Sequence, residues 1–428
     1  MPSHPRCTLW EQLASALPEE HVLWRIGPAR ARRKVEWDTA VRKALRKPIG
    51  APPLGETAGG ARNVVILADD VTRPTPQAKL LPPLLDELNA AGVADRSITV
   101  IIALGTHRYM TDEEMIAHFG KDVVARVRVI NHAWKDTGTF VNLGVTSRGT
   151  PVRVNRLAHE ADLLIGVGSI VPHIYAGWGG GAKIVMPGIC PDEAIGPVHS
   201  LAADDGSFLE VAGRTGTVCR REIEEVAALV GLDVILNVVL DADGRCAWAG
   251  AGEPGKTHAA GVEAAAKIFV RDIPRPADVV IIDARPATIE YWQGIKALAH
   301  AARSIKRGGT AILVADFPEG IETTHPDFSA FALHSEREIV SAWRRGKITD
   351  EVAVAPLRLH ALALAHCSVI CVSSGMSRQD KRKLGFGHAD TIAEALDQAL
   401  ARHGKAADIG VIEYGGDVVS RPGDAKGA

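Results

Sequence analysis

The pattern of apolar and polar positions divides the chain into short apolar runs separated by longer amphipathic stretches. Apolar runs of about four to eight residues between turn residues are typical of buried strands, and apolar positions at helical spacing are typical of helices. The first half carries predicted strands at residues 63–68, 98–103, 127–130, 162–167 and 234–240. It carries predicted helices at residues 77–91, 111–119, 221–230 and 253–269.

A break in this alternation falls at residues 271–276, where prolines and charged residues interrupt the apolar pattern. Beyond it the predicted strands are residues 279–283, 310–315, 368–372 and 409–413, and the predicted helices are 294–306, 335–345, 356–365 and 391–402. Alternating strands and helices indicate the α/β class. We therefore expect two α/β domains with largely parallel sheets, at residues 1–272 and 277–420, and the active site in the cleft between them.

The two ends of the chain lack the alternation. Residues 1–60 are expected to form an irregular lead-in with one helix at residues 37–46. The polar tail after Gly415 is expected to fray, as chain ends without anchoring contacts do.

Composition narrows the classes of partner. Hydrophobic residues make 46% of the 428 positions and charged residues 23%, a balance typical of globular proteins. A net charge of −2 without a long basic block argues against a nucleic-acid partner. No apolar stretch reaches about 18 residues, so no membrane partner is expected. Six scattered cysteines and the lack of a leader-like segment favour the cytoplasm.

Reactive side chains follow three of the predicted strands. Asp70, Thr72 and Arg73 follow the first strand, His107 follows the second, and His173 follows a later one. Ligands of open α/β sheets bind beyond the carboxyl ends of the strands, which share one edge in a parallel sheet. We therefore expect these side chains on one rim.

Each of these motifs also has a simpler structural explanation. Asp70 and Thr72 could cap a helix, His107 could be a turn histidine, and His173 could be a loop histidine in water. In the functional alternative, Thr72 and backbone N–H groups bind a phosphate, and Arg73 binds a carboxylate. His107 then acts as a general base near neutral pH. Single motifs do not decide between the two.

The most distinctive stretch is a glycine-rich loop, which includes residues 179–181 and leads to Lys183. Such a loop lets backbone N–H groups approach an anion closely. It is not a Walker phosphate loop, because Ala182 replaces the last glycine and Ile184 replaces the Ser or Thr that holds magnesium. Lys183 lies between glycines and an apolar run, which is an unusual place for a solvated lysine, so its amine is a candidate reactive group.

Three further side chains could belong to the same site. His199 could be a surface histidine or a lone metal ligand, since the usual zinc spacings are missing around it. Gln293 and Lys296 lie three residues apart and share a face of a predicted helix. A cationic Lys296 that faces the first half across a cleft would suit a small anionic substrate.

Taken in order, these motifs resemble the nickel-pincer-nucleotide lactate racemase family over about residues 63–413. The matching stretches are Asp70-Val71-Thr72-Arg73-Pro74, Gly105-Thr106-His107-Arg108, and Pro172-His173 through Gly180-Gly181-Ala182-Lys183 to His199. The resemblance implies two α/β domains with the active site between them. It also implies a cofactor, a pyridinium mononucleotide whose thioamide and thiocarboxylate arms hold nickel.

The resemblance implies cofactor roles for four residues. Lys183 matches the lysine that bonds the thioamide carbon, and His199 matches the histidine that completes the square-planar nickel shell. Asp70 and Thr72 fall in the motif near the cofactor and its phosphate.

It implies substrate roles for five others. His107 and His173 match the pair that takes the substrate hydroxyl proton, one for each enantiomer. Arg73 and Lys296 match the carboxylate anchors, and Gln293 matches a pocket amide.

The implied activity is that of a racemase or epimerase that inverts C2 of a 2-hydroxy acid, such as lactate, malate or a related acid. The C2 hydrogen would pass as hydride to the cofactor and back, with a 2-keto acid as intermediate. The expected partners are this acid, the cofactor-synthesis enzymes in transient contact and, as an option, a second copy of the chain in a homodimer. The segment Asn131-His132-Ala133-Trp134 occupies a place where Asn-His-Asp or Asn-His-Glu is expected, and the departure at Ala133 and Trp134 bears on the substrate side-chain pocket.

Two other functions remain open at this point. A metallohydrolase could use His107, His173 and His199 as ligands, although no His-Glu-x-x-His motif is present. A non-catalytic binder of small anions or nucleotides could keep the fold without the chemistry. The presence of Lys183 together with three histidines argues against such a binder.

Overall fold

The computed structural model describes residues 13–31 and 35–423, which form two six-stranded, mostly parallel sheets. The first sheet has the strand order Cys246–Gly252, Val234–Leu240, Leu163–Ser169, Val64–Ala68, Ile98–Ile102, Arg128–Asn131. The second has the order Val22–Ile26, Ile409–Ile412, Ala277–Asp283, Ile305–Val314, Ser368–Val372, Gly387–Ala389. The prediction of an α/β fold with largely parallel sheets is confirmed.

Helices accompany both sheets. Those of the first half are Trp37–Arg46, Leu54–Thr57, Gln77–Ala90, Asp112–Phe119, Lys121–Arg126, Arg156–His159, Asp192–Ser200, Val218–Val230 and Pro254–Phe269, preceded by Leu13–Ala16. Those of the second half are Tyr291–Ala301, Pro326–Phe331, Glu336–Arg344, Glu351–His366, Arg378–Lys383 and Ile392–His403. Short 3-10 turns occur between them, including Gly181–Ile184 in the glycine-rich loop.

The central strands are buried along their whole length, which is why their sequences are continuously apolar. Every residue of Val64–Ala68, Leu163–Ser169 and Val234–Leu240 is buried. Helices on both faces of a parallel sheet leave no solvent side, so the strands do not alternate between apolar and polar residues. The same feature made these strands recognisable in the sequence.

The start of the chain is more regular than its sequence indicates. Val22–Ile26 forms a parallel edge strand of the second sheet and pairs with Ile409–Ile412. The expectation of an irregular lead-in is wrong here, because this short apolar segment forms a strand by pairing with a sheet edge that is distant in the sequence. The limits 1–272 and 277–420 stay a prediction, and this strand crosses them.

The end of the chain is also ordered further than expected. Val419–Pro422 pairs in parallel with Val270–Ile273, so the prediction that the tail frays from Gly415 is wrong. The antiparallel hairpin of Phe140–Val145 and Pro151–Asn155 was likewise not predicted. These strands are short, and pairing with a partner rather than local pattern defines them.

One helix pair joins the two halves beside the expected site. Asp192–Ser200 packs against Glu351–His366. Gly196 makes the close approach possible, since a Cβ atom there would lie 2.6 Å from the backbone carbon of Glu351. The packing places His199, in the last turn of the first helix, at the junction of the halves.

Candidate active site

One cavity between the two sheets brings the expected site residues together. Asp70, Thr72, Arg73, His107, His173, Lys183, His199, Gln293 and Lys296 all line it. Its walls combine loops after strands of the first sheet with the helix Tyr291–Ala301 and the loop after Ile409–Ile412 in the second. Side chains separated by more than 200 residues therefore meet in one cavity.

Asp70 and Thr72 hold His107 in one orientation. The His107 Nδ1 lies 2.6 Å from the Asp70 Oδ2, and the Thr72 hydroxyl donates to the Asp70 Oδ1 at 2.5 Å. Burial raises the pKa of Asp70, but the charge and hydrogen bond of His107, with Arg73, hold it well below its usual range. An ionised Asp70 accepts a hydrogen bond from the Nδ1–H of His107, which leaves the His107 Nε2 as an acceptor.

His173 has the opposite arrangement of its ring nitrogens. Its Nδ1 accepts from the backbone N–H groups of Tyr175 and Ala176, both at 3.2 Å. The neutral ring therefore carries its proton on Nε2. Burial, followed by the charge of Lys183, lowers the pKa of His173 well below its usual value. The cavity thus contains one imidazole that presents an acceptor and one that presents a donor.

Three buried side chains form hydrogen bonds with the backbone of the glycine-rich loop. The Gly181 N–H donates to the Asn237 Oδ1 at 2.7 Å, and the His258 ring lies 2.9 Å from the Gly179 carbonyl. Arg220 donates to the Trp178 and Gly180 carbonyls. These contacts fix the backbone that leads into Lys183.

The Lys183 amine is made nucleophilic by its surroundings. Burial, with the charges of Arg73 and Arg220, lowers the pKa of Lys183 to about 7. Among the residues that the structure describes, its side chain makes no hydrogen bond or ion pair. Near neutral pH a large share of this amine is therefore unprotonated and free to react.

His199 presents a buried nitrogen without a partner. Its Nε2 has no hydrogen-bond partner among the described residues, while its ring packs 4.7 Å from the Tyr175 ring, centroid to centroid. Burial and the charge of Lys183 lower the pKa of His199 well below its usual value. A neutral imidazole with an unsatisfied nitrogen is suited to bind a metal ion or a ligand donor.

Gln293 joins the second half to the first. Its Oε1 accepts from the Lys296 amine at 2.6 Å and from Arg73 at 3.4 Å. Its Nε2 lies 3.0 Å from the His107 Nε2, the acceptor nitrogen of that ring. Burial and the charge of Arg73 lower the pKa of Lys296 well below its usual value.

Two features of the cavity were missed by sequence reasoning. Asp417 and Trp292 line it but were not singled out. Asp417 stands in Gly415-Gly416-Asp417, just after the strand Ile409–Ile412, so the rule for carboxyl ends of strands could have found it. The expectation of a frayed tail hid that signal.

Trp134 does not line the cavity, although its position was expected to bear on the substrate pocket. Its indole N–H donates to the His107 carbonyl at 3.0 Å, and its ring stacks 6.5 Å from that of His325.

Within residues 13–31 and 35–423, no group of three or more His, Cys, Asp or Glu side chains could hold a metal ion. The arrangement therefore does not favour the metallohydrolase alternative.

These features define an α/β protein with two mostly parallel sheets and one cavity lined by histidine and lysine side chains of lowered pKa. The model of the lactate racemase N-terminal domain matches residues 11–209. The chain is 31% identical over 401 residues to a lactate racemase of Lactiplantibacillus plantarum, with 90% of this chain and 91% of the relative covered. It belongs to the lactate racemase family and is an isomerase.

Other comparisons agree. A lactate racemase of Thermoanaerobacterium thermosaccharolyticum is 29% identical over 422 residues, which cover 96% of this chain and 97% of the relative. The lactate racemase apoprotein structure from that organism matches with a TM-score of 0.84 and 28% identity, over 95% of this chain and 96% of the other. A Thermotoga maritima protein, at 18% identity and a TM-score of 0.74, shares the fold over 91% of this chain and 100% of its own.

Within the described residues, no helix is both long and apolar enough to cross a membrane.

Proposed function

We propose that this protein inverts C2 of a small 2-hydroxy acid by reversible hydride transfer, with a 2-keto acid as the intermediate. The observation that supports this most is the convergence of His107, His173, Lys183 and Lys296 on one cavity. The C2 hydrogen of such an acid is barely acidic, because the neighbouring carboxylate makes a carbanion costly. Removal as hydride avoids that charge, and return to the other face of the planar keto acid inverts the centre.

The residues present fit a nickel-pincer nucleotide as cofactor. The Lys183 amine, with its pKa lowered to about 7, suits a bond to an electrophilic carbon. The unpartnered His199 Nε2 suits a nickel ion, for which imidazole is a good ligand. When bound, this group supplies an acceptor for the hydride. Enzymes that synthesise the nucleotide would be transient partners.

The protein's own side chains would bind the acid and move its hydroxyl proton. Arg73 and Lys296 would anchor the carboxylate, with Gln293 beside them. His107 would take the hydroxyl proton, because burial keeps its ring unprotonated near neutral pH and its Nε2 is an acceptor. His173 carries its proton on Nε2 in the neutral ring, so in this state it would donate a hydrogen bond to the substrate oxygen. Its role as the base for the other enantiomer stays a prediction.

The hydrogen bonds of Asp70 and Thr72 suggest a role for these residues different from the cofactor contact that the resemblance implies. Their hydrogen bonds lead to His107, so we propose that they set its tautomer. A contact of either residue with the nucleotide stays a prediction.

Isotope labelling tests the proposed function. Full-length protein, co-expressed with the cofactor-synthesis enzymes, would be given single enantiomers of 2-hydroxy acids deuterated at C2. We expect racemisation in ordinary water with the label largely kept, and a trace of 2-keto acid after an acid quench. Rapid loss of the label to solvent would show carbanion chemistry and would overturn the proposal.

A further inference from the structure

Asp417 is a carboxylic acid in the cavity to which the proposed function gives no task. It follows Gly415 and Gly416 at the carboxyl end of the strand Ile409–Ile412, and it lines the same cavity as Lys183 and Lys296. Its residue is buried, with 9% of its surface exposed. Burial makes an unsatisfied carboxylate costly, so its partner is worth identifying.

No described residue satisfies the side chain of Asp417. Within residues 13–31 and 35–423 it accepts no hydrogen bond and lies in no ion pair, whereas its backbone N–H donates to Tyr414. By contrast, Asp70 in the same cavity is held by His107 and Thr72. Polar groups inside native proteins nearly always have a partner, and the cavity that Asp417 lines is the side from which its partner would come.

The charged groups that face Asp417 are Lys296 and Arg73. Both are more than an ion-pair distance away, and both already meet at the Oε1 of Gln293. In the proposed function they bind the C1 carboxylate of the substrate. A substrate group beyond C2 that reaches Asp417 would therefore face a hydrogen-bond acceptor rather than a cation.

We propose that Asp417 is a specificity-determining residue that accepts a hydrogen bond from a hydroxyl group carried beyond C2, so that the cavity favours polyhydroxy acids over dicarboxylic acids. The inference rests on the proposed function and narrows its substrate class. A hydroxyl donor satisfies the carboxylate, whereas a second carboxylate would add like charge in an enclosed space. A site uses both attraction and repulsion to discriminate between ligands.

The discrimination should depend on pH. Burial raises the pKa of Asp417 to about 7, against the opposing charges of Lys296 and Arg73. Above this pH Asp417 carries its charge and repels a dicarboxylate. Below it the carboxyl is neutral and the repulsion fades.

The test compares glycerate, lactate and malate on the full-length protein co-expressed with the cofactor-synthesis enzymes. Binding is measured by calorimetry, and kcat/KM for racemisation is measured separately. The variants are Asp417→Asn and, in case that protein folds poorly, Asp417→Ser. Asp397→Asn, on the exposed face of the helix Ile392–His403, is the control.

We expect the wild-type protein at pH 8.5 to bind glycerate at least about tenfold more tightly than malate, which is the scale of a hydrogen bond to a charged group. Asp417→Asn should bring the ratio within about threefold, through stronger malate binding and weaker glycerate binding. Lowering the pH to 5.5 should reduce the ratio in the wild type and leave it unchanged in the variant. Because all three acids share the C1 carboxylate, effects on Lys296 cancel in the ratio.

The outcomes separate the two proposals. An unchanged ratio in Asp417→Asn, with racemisation intact, overturns the role of Asp417 alone. A ratio that changes as expected, without racemisation of any acid, supports Asp417 and overturns the proposed function. Equal or tighter binding of malate by the wild type, or no binding of any of the three acids, contradicts the inference for Asp417.

Discussion

Gln293 helps to determine which nitrogen of His107 is protonated. Its carbonyl oxygen faces Lys296 and Arg73, so its amide nitrogen must face His107. That nitrogen donates a hydrogen bond to the His107 Nε2, while the Nδ1–H of the same ring donates to Asp70. A single amide thus links the carboxylate anchors to the protonation state of a proposed base.

Lys183 yields a prediction about chemical reactivity. Reductive methylation of the native protein across a pH series should modify Lys183 with a midpoint near 7, because its pKa is lowered to about 7 by burial and nearby cations. Below that pH the amine is protonated and cannot attack. Ordinary lysines, with a pKa of about 10, should react with a much later midpoint, and exposed Lys405 is the reference in the same samples.

Peptide mass spectrometry reads both sites at once. If Lys183 follows the same pH profile as Lys405, then its environment does not activate it, and the case for a bond to the cofactor weakens.

At the scale of elements, the fold depends on how closely two helices approach beside the cavity. Asp192–Ser200 carries His199, and it lies against Glu351–His366 with no room for a side chain at Gly196. Glycine is poor at stabilising a helix, but here it allows the backbones to touch. The position of a proposed nickel ligand therefore depends on a glycine three residues away.

Gly196→Ala should push these helices apart. A Cβ atom 2.6 Å from the Glu351 backbone cannot be relieved by a flexible side chain, so we expect a loss of about 1–3 kcal/mol in the free energy of unfolding. The matched control is Gly55→Ala in the helix Leu54–Thr57, where a Cβ atom meets nothing within 4 Å. Alanine there should raise stability by roughly 0.5–1 kcal/mol.

Thermal and denaturant unfolding measure both changes, and nickel content of the holoprotein reports on His199. Equal stability of the two variants would show that the helices can separate without cost.

At the scale of the whole molecule, several contacts connect the loops of the first sheet to the second half. Arg108 binds Glu319 through two nitrogens at 2.6 and 3.0 Å. The Thr106 hydroxyl lies 3.0 Å from the His325 ring, whose other nitrogen lies 2.7 Å from Asp350. These contacts flank His107 on both sides, so the position of this ring depends on how the halves meet.

Glu319→Gln should loosen this junction. The fork of bonds from Arg108 to a carboxylate would become a single bond to an uncharged amide oxygen, while Glu114 keeps the guanidinium in place. We expect faster hydrogen exchange at residues 105–108 and a severalfold lower kcat/KM, with little change in melting temperature. Glu322→Gln, three residues along the same loop, is the control. Identical exchange rates in the two variants would mean that Arg108 does not hold the loop.

The sequence alone determined the α/β class, the central strands and the ordered set of motifs. Buried parallel strands need continuous apolar runs, and reactive groups follow their carboxyl ends. Both features can therefore be recognised in short stretches of the sequence. Helix starts are equally local: Thr111 and Glu114 form a capping box at the start of the helix Asp112–Phe119.

Tertiary structure alone decided which distant segments complete the sheets and the cavity. Val22–Ile26 and Val419–Pro422 form strands because each pairs with a strand that is distant in the sequence. A segment of four or five residues carries no pattern that identifies such a partner. The same holds for Asp417 and for the link from Asp70 to His107, since burial and contact are properties of the packed chain. The pKa of Lys183 is lowered for this reason too: desolvation and the nearness of Arg73 and Arg220 exist only after folding.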